Sequence, residues 1–409
     1  MNVTTLRYRT PVWLAVACVA GVAACASTDA LLSEVPPEPS TVPDSAPTPD
    51  GGSDAAPTEP DAGPCLDCEY FPEACTPDAL CSNGPFDPNT VGGSLDSRAQ
   101  ITVIRGRSPN DVWAAGALGA LAHFDGTSWR RSDLGDDETL RALWLRDSEE
   151  VTVGMLDRIY ARGLDGLDAG SPPSADGWTL HKSSASPAYS AYALKRFESA
   201  WAAPGAQSLW CAMLASEPGG SSGLWRLRLS ASSTFEIGVG IASSVCRTLP
   251  CSQMKSIHGA SANELWAVGA MGAVVRVTDA ESDTPSVKAF DSQTWDALHG
   301  VWAASASEAW AVGARGTIRH YAGDPQAWDV VSDVPTIENL NAVWGSSPSD
   351  VWAVGNAGVV LHYDGSAWSR VKIAGLGTRR PNLTTVWVAA PGHVWIGGQG
   401  VTLSVGGKP

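Results

Sequence analysis

The sequence predicts an all-β fold: a seven-bladed β-propeller of four-stranded blades, preceded by a disordered tether and a small cysteine-rich segment. Two observations support this prediction. The stretch Asn341–Trp368, NAVWGSSPSDVWAVGNAGVVLHYDGSAW, contains short apolar runs separated by turn-forming clusters, which is typical of antiparallel strands. Approximate copies of this stretch recur from Ile101 to the C-terminus. A period of about 40 to 45 residues with four strands is that of a propeller blade.

Seven copies align on one position, the centre of the VWAVG run. Tryptophan occupies this anchor position in six copies, and Val151 occupies it in the second copy. An acidic residue precedes most anchors by two positions, and a glycine follows most of them by three, so the copies share turn chemistry as well as apolar residues. The six anchor tryptophans are Trp113, Trp210, Trp266, Trp310, Trp352 and Trp395.

Tryptophan also tests the alignment independently. Of the 17 tryptophans that follow the N-terminal segment, 16 fall into three columns of the repeat. The first-strand column holds Trp144, Trp201, Trp302, Trp344 and Trp387. The fourth-strand column holds Trp129, Trp178, Trp295, Trp328 and Trp368. We expect all three columns to form the core between neighbouring blades, because truncating one buried tryptophan costs about 3–5 kcal/mol.

The net charge of −16 is spread unevenly along the chain. Residues 26 to 100 contain 14 Asp or Glu and one Arg, which gives −13, and residues 1 to 25 give +2. That leaves −5 for residues 101 to 409. A nearly balanced propeller without a basic stripe has no electrostatic basis for binding nucleic acid.

The N-terminal segment has the features of an export signal. Arg7 and Arg9 precede an apolar run of 14 residues, which is shorter than the roughly 20 that a membrane-spanning helix needs. The run ends in VAAC, which resembles the lipobox of bacterial lipoproteins. The resemblance implies a signal peptide over 1–24, acylation of Cys25 with chains such as palmitate and, because Ala26 rather than aspartate follows, an outer-membrane location. Ordinary secretory cleavage beside an unmodified cysteine is the alternative.

The next segment, residues 25–64, begins at the lipidated cysteine and continues as a tether. It is rich in proline, acidic residues, serine and alanine and has almost no large apolar side chains, so it cannot bury enough surface to fold. As a coil it would span roughly 35 Å. We therefore predict a disordered acidic tether that leads into a cysteine-rich junction at 65–100.

Cysteine spacing predicts disulfides rather than a metal site. An exported chain lies in an oxidising compartment, so the four cysteines of the junction are expected to form two disulfides, with three pairings open. A further pair lies five residues apart between the third and fourth copies, which leaves Cys211 as the free thiol. The disulfide candidates are Cys65, Cys68, Cys75, Cys81, Cys246 and Cys251.

The two chain ends are predicted to close the ring. The propeller occupies residues 101–409, and its seventh copy ends at Pro409 after only three strands. An open ring would expose an unpaired strand edge. We expect residues between Phe86 and Gln100 to supply the missing outer strand.

No catalytic residue, metal site or cofactor is predicted. The run Gly219–Gly223 matches G-x-S-x-G literally, but a nucleophile elbow requires a strand followed by a helix, whereas this run falls between two strands. Three histidines share one column, ten residues after the anchor, on third strands that lie far from the axis, so they are not expected to converge on a metal. These histidines are His123, His320 and His362.

Two hexapeptides, FDGTSW ending at Trp129 and YDGSAW ending at Trp368, resemble the Asp-box repeats of sialidase-like BNR propellers. They lack the leading serine and the residue between aspartate and glycine that the Asp box contains. The DVWAVG run with its following turn is also similar to tectonin-type lectin repeats. Both resemblances imply a propeller. Neither implies an activity, because the arginine triad of sialidases has no counterpart that can be assigned here.

We therefore predict a non-enzymatic binding scaffold at the cell envelope, held at the membrane by a lipid anchor. Its partner would be a protein or a polysaccharide. A carbohydrate-binding lectin and a degenerate sialidase-like glycoside hydrolase or lyase are the alternatives. Two long insertions, Gly163–Gly177 and Asp279–Thr294, are expected to join third and fourth strands on one face. Because loops on a rigid scaffold often carry recognition residues, this face is the predicted binding face.

Overall fold

The structure, a computed structural model, describes residues 67–164, 172–185, 197–214, 222–230 and 234–407. These residues belong to one compact unit, Pro64–Pro409. The predicted signal peptide, the lipidated Cys25, the tether and Cys65 lie outside the described residues. Among the residues described, no helix is long and apolar enough to cross a membrane.

The described residues form seven sheets, each built on four antiparallel strands and arranged as a seven-bladed β-propeller, as the repeat predicts. We number the blades 1 to 7 from Ile101 and the strands of each blade from the axis outward. Blade 1 consists of Ile101–Ser108, Asp111–Gly116, Leu121–Phe124 and Trp129–Arg131. Blade 2 consists of Ala142–Leu145, Glu150–Met155, Arg158–Arg162 and Thr179–His181. Blade 3 consists of Phe197–Trp201, Ser208–Met213, Leu224–Leu229 and Phe235–Val239, and the short strand Ser184–Ala185 pairs parallel with the last of these as a fifth strand.

The remaining four blades repeat this order. Blade 4 consists of Met254–Ser261, Glu264–Gly269, Val274–Thr278 and Ser286–Ala289. Blade 5 consists of Leu298–Ser305, Glu308–Gly313, Ile318–Tyr321 and Asp329–Val330. Blade 6 consists of Leu340–Ser347, Asp350–Gly355, Val360–Tyr363 and Trp368–Arg370. Blade 7 consists of Leu383–Ala390, His393–Gly398, Val401–Val405 and, from the other end of the chain, Leu80–Ser82.

The closing strand is therefore not in the segment that the sequence suggested. Leu80–Ser82 pairs antiparallel with Val401–Val405, whereas the prediction placed this strand between Phe86 and Gln100. Residues 86–100 instead form turns, in which Asp87 and Asp96 each accept a hydrogen bond from the backbone N–H two residues later. Leu80 is fully buried, so the short strand also fills the outer core of blade 7.

Tryptophan pairs interlock neighbouring blades. In four cases the anchor tryptophan of one blade meets the fourth-strand tryptophan of the next blade edge to face, at 5.0–5.6 Å between ring centroids. These pairs are Trp395 with Trp129, Trp113 with Trp178, Trp266 with Trp328, and Trp310 with Trp368. All six anchor tryptophans are buried. The tryptophans that recur most regularly in the repeat therefore lie at the interfaces between blades.

Trp295 does not belong to the fourth-strand column. It follows the fourth strand of blade 4, Ser286–Ala289, and its side chain is exposed. Phe290 packs against Trp266 from that strand end instead, with ring centroids 4.8 Å apart. The assignment of Trp295 relied on spacing alone, and the strand register contradicts it.

The structure contains disulfides Cys75–Cys81 and Cys246–Cys251. Cys68 is also disulfide-bonded. The second bridge closes the connection between blades 3 and 4 around a short helix, Ser243–Cys246. Cys211 is a free, buried thiol, and burial raises its pKa far above the usual range, so it stays protonated and unreactive.

Candidate binding face and central channel

The first strands of the seven blades stand side by side around the axis, and each contacts the first strand of the next blade. Their sequences align without gaps from Ile101 in blade 1. We call the residues at the second position the entrance ring: Thr102, Arg141, Glu198, Lys255, His299, Asn341 and Thr384. We call the residues at the fifth position the inner ring: Arg105, Trp144, Trp201, His258, Trp302, Trp344 and Trp387.

The entrance ring ties neighbouring blades together. Thr102 donates to the carbonyl of Leu140 in blade 2, and Asn341 donates to that of Leu383 in blade 7 at 2.8 Å. His299 and Thr384 bond in the same way to the blades that follow them. This ring lies at the start of the first strands, so it faces the side of the propeller that carries the connections between blades.

A cavity of about 110 Å³ lies in the channel between the two rings. Every entrance-ring residue lines it, and the inner ring contributes Arg105, His258 and Trp344. The Arg105 guanidinium carbon lies 4.3 Å from the Trp344 ring centroid, although blades 1 and 6 are not neighbours. Trp344 therefore extends into the channel, where it also contacts His258 of blade 4, with ring centroids 4.6 Å apart.

Arg105 has no carboxylate partner among the residues that the structure describes. Its one hydrogen bond goes from Nη1 to the neighbouring carbonyl of Ile104, at 2.7 Å. Burial lowers the pKa of Arg105 to about 10, which leaves the guanidinium charged at neutral pH. An arginine that is half-buried without a carboxylate partner is unusual, because partial desolvation of an unpaired charge is costly.

The two histidines of the channel are neutral at pH 7. Burial lowers the pKa of His258 well below its usual value, and the charge of Arg105 lowers it further. Burial also lowers the pKa of His299, with a further contribution from Lys255. The charges that act on these two histidines, Arg105 and Lys255, make the local field positive, although the net charge of the whole chain is −16.

The face around the entrance ring exposes several large apolar side chains. In blades 1, 4, 5 and 6 the turn between the second and third strands has the pattern G-x-x-G, and its third residue has a positive φ. These residues are Leu118, Met271, Arg315 and Ala357. In blade 4 the turn packs tightly on the next connection, since a Cβ on Gly272 would lie 2.0 Å from the carbonyl oxygen of Thr294. This close approach places Met271 beside the loop of Trp295.

The side chains of Met271, Trp295 and Ile337 are 71%, 87% and 87% exposed. Arg315 links this set, because its guanidinium pairs with Asp296, which follows Trp295 in the chain. The turn of Arg315 also contacts the Ile337 loop, where the Gly316 N–H donates to the carbonyl of Glu338. We call Met271, Trp295, Arg315 and Ile337 the exposed patch. Exposed apolar clusters of this kind mark interaction sites.

Hydrogen bonds hold the Trp295 loop in place from several sides. Arg319 donates from Nε to the carbonyl of Ser292 at 2.6 Å and from Nη2 to that of Gln293 at 3.0 Å. The Ser292 hydroxyl donates to the carbonyl of Gly272, and the Gln293 amide donates to that of Trp328. Trp295 is therefore presented by a fixed loop rather than by a free one.

The predicted binding face, on the opposite side of the propeller, shows fewer features of a binding site. Of the insertion Gly163–Gly177, residues 165–171 lie outside the described residues. The second insertion is shorter than expected, because Ser286–Ala289 forms a strand within it and leaves only residues 279–285 as the loop. Arg226 and Arg228 of blade 3 donate to three backbone carbonyls of that loop. The loop thus braces blades 3 and 4.

The histidine column has a structural role that the sequence did not reveal. In each of three blades a histidine stacks on the anchor tryptophan, at 4.1–4.4 Å between ring centroids, and bonds through Nε2 to the acid two residues before that anchor. The acid and histidine columns were both visible in the repeat. The signal that joins them is the cross-strand register, which pairs each anchor with its histidine. The sets are Asp111, Trp113 and His123; Glu308, Trp310 and His320; and Asp350, Trp352 and His362.

Nothing within the described part of the chain forms a cluster of acidic, cysteine and histidine ligands suited to a metal ion. The strand Leu224–Leu229 directly follows the G-x-S-x-G run, so the motif lacks the helix that a nucleophile elbow requires. Its described serine, Ser222, bonds to Leu224 instead.

The Asp-box-like turns are local structural features. Asp125 accepts hydrogen bonds from both N–H and hydroxyl of Thr127 and from the N–H of Ser128, and these bonds lower its pKa to about 2. Asp364 makes the equivalent bonds in blade 6. Each aspartate therefore stabilises a hairpin turn before a fourth strand.

The sequence matches no protein-family profile and no curated protein. The fold is similar to that of YCF48 bound to D1 peptide, with a TM-score of 0.54 and 16% identity over 84% of this chain and 98% of that one. YCF48 from Cyanidioschyzon merolae gives 0.55 and 14%, over 76% and 95%. A streptogramin B lyase gives 0.52 and 14%, over 75% and 93%. At these identities the likeness establishes the β-propeller fold alone, and membership of the Asp-box family is not supported.

Proposed function

We propose that this propeller is a non-enzymatic scaffold that binds a protein partner through the exposed patch. The observation that carries the proposal is the exposure of Trp295 and Ile337 on hydrogen-bonded loops of one face. Tryptophan is enriched among the residues that dominate protein interfaces. The peptide complex of the structurally similar YCF48 gives general support to a protein ligand on this fold.

The apolar surface of the exposed patch is large enough to contribute much of the free energy of binding a protein. Burying three large apolar side chains contributes roughly 4–9 kcal/mol before the costs of association. A Kd of 1 μM corresponds to about −8 kcal/mol, so the patch would need a few further contacts to reach that affinity. Arg315, which pairs with Asp296, is suited to supply polar contacts to the partner.

A protein partner fits the patch better than a polysaccharide does. The inter-blade tryptophans, on which a lectin of this repeat would stack sugars, are buried. Trp295 is exposed, but its neighbours Met271 and Ile337 offer a sugar hydroxyl no hydrogen bond. We also infer that the protein is not an enzyme, since the motif that could have carried a nucleophile is followed by a strand, Leu224–Leu229, and not by the helix of a nucleophile elbow.

We further propose that the chain is anchored to the outer membrane through Cys25, with residues 26–64 as the tether. The VAAC motif and the acidic, proline-rich composition support this proposal. Mass spectrometry of detergent-extracted protein should find a chain that starts at Cys25 with added acyl mass. Recovery of the mature protein in the aqueous phase of a detergent partition would contradict it.

Affinity capture from the native cell envelope tests the binding role. The full chain is compared with a double variant, Trp295→Ser and Ile337→Ser. The control is Val91→Ser with Val330→Ser, which removes exposed apolar side chains outside the patch. We expect a defined protein to be retained by the wild type and by the control and lost from the patch variant. Equal capture by all three, with unchanged thermal transitions, would contradict the proposal.

A further inference from the structure

The central channel contains a second candidate site, which does not depend on the proposed function. Arg105 and Lys255 both line the 110 Å³ cavity, and neither forms an ion pair with any residue that the structure describes. The other charged residues that line it, Arg141 and Glu198, have opposite signs. The described lining residues therefore have a formal charge of +2, in a chain whose overall charge is strongly negative.

His258 adds a hydrogen-bond donor to this lining. Its side chain is 5% exposed, and its Nδ1 accepts the backbone N–H of Ala303 at 3.1 Å. In a neutral imidazole that accepts at Nδ1, the proton is on Nε2. This Nε2–H has no acceptor among the described residues. Three different side chains thus bring unsatisfied donors to one small cavity.

The size of the cavity limits what it can hold. One water molecule in the liquid takes up roughly 30 Å³, so about 110 Å³ is room for one small polar group with a little solvent. Pockets that enclose whole drug-sized ligands measure about 300–1,000 Å³. A planar carboxylate matches the fork of the guanidinium, which can donate two parallel hydrogen bonds to it.

We propose that the channel binds a carboxylate group between Arg105, Lys255 and His258, entering from the side of the entrance ring. Glu198 is exposed there, so solvent reaches the ring. The carboxylate would belong either to a free small acid or to the C-terminus of a peptide. Both sources supply the same two oxygens to the guanidinium.

Calorimetric titration of the full chain at low salt tests the proposal. The probes are acetate for a free acid, N-acetylalanine for a peptide end, and N-acetylalanine amide as the uncharged match. We expect at least one of the acids to bind and the amide not to bind. Binding of acetate alone would assign a free acid, and binding of N-acetylalanine alone would assign a peptide end. No binding by either acid, or equal binding by acid and amide, would overturn the proposal.

Variants locate the site. Arg105→Gln should weaken acid binding by about ten- to hundredfold, the usual effect of losing hydrogen bonds to a charged group. Arg98→Gln is the control, because Arg98 is exposed and paired with Asp96 outside the channel. If Arg105→Gln fails to fold, Lys255→Gln takes its place and should weaken binding severalfold. Undiminished binding by whichever of these variants retains the wild-type thermal transition would overturn the proposal.

Discussion

Trp266 of blade 4 and Trp328 of blade 5 meet edge to face, with ring centroids 5.0 Å apart and ring planes at 90°. Neither side chain has any exposed surface. Because a propeller blade makes most of its contacts with its two neighbours around the ring, such pairs contribute strongly to the packing of one blade on the next.

Replacing Trp328 with alanine should lower the free energy of unfolding by about 3–5 kcal/mol, since it leaves a cavity between two blades. Trp295→Ala is the matched control. Its side chain is 87% exposed, so the change should stay within about 0.5 kcal/mol. Urea titration followed by circular dichroism measures both. A loss of similar size in the two variants would show that the inter-blade pair has no special role.

The strand that closes the ring should also contribute to the free energy of unfolding. Leu80 is fully buried in the strand that completes blade 7, so Leu80→Ala should cost about 2–5 kcal/mol. Val91, in the segment that the sequence favoured for this strand, is half exposed, so Val91→Ala should have little effect. The same titration compares them. A large loss from Val91→Ala with none from Leu80→Ala would place the closing strand elsewhere.

The acid beneath each stacked histidine should give a pH-dependent stability. Burial raises the pKa of Asp350, but hydrogen bonds from Ser346, His362 and Trp352 outweigh it, and the net pKa is lowered. A carboxyl whose folded pKa lies below its unfolded value of about 3.9 stabilises the fold above that value. This contribution is lost as the pH falls through the lower, folded pKa.

The stability difference between wild type and Asp350→Asn should therefore be full at pH 6 and shrink as the pH falls below about 4. Asp147→Asn, at an exposed position, is the control for a general loss of charge. Thermal unfolding from pH 6 to pH 3 measures the difference. A difference that stays constant over this range would mean that the carboxylate of Asp350 does not stabilise the stacked histidine.

The left-handed turn residues predict a gain in stability. Ala357 has φ of 52°, a conformation that costs an L-residue roughly 1–2 kcal/mol. Ala357→Gly removes this cost but adds freedom to the unfolded chain, so we expect a net gain of about 0.5–1 kcal/mol. Ala353→Gly, in the middle of a buried strand, should be destabilising instead. Equal losses at both positions would argue against a strained turn.

The repeat predicted the ring and its tryptophan columns because seven copies impose the same spacing on every blade. It misassigned Trp295 because spacing cannot detect that the fourth strand of blade 4 begins earlier, at Ser286. It missed the strand Leu80–Ser82 because three residues are too few to show alternation. This strand is held beside the disulfide Cys75–Cys81.

The sequence contains a signal for the channel. The five first-strand tryptophans align with Arg105 and His258, so an arginine in an aromatic column was a signal for an unusual site. That Arg105 has no carboxylate partner among the described residues, and that Trp344 of blade 6 contacts it, follow only from the arrangement of blades in space. The exposed patch likewise joins residues from different loops.

We propose that the face with the exposed patch binds a protein. A photo-crosslinking amino acid placed at Ile337, in the full chain within its native cells, tests it most directly. The same substitution at Ser349, an exposed turn residue on the opposite face of blade 6, is the reference. We predict a discrete cross-linked protein from position 337 and none from position 349. Cross-links from position 349 alone would contradict the account, as would no cross-link from position 337.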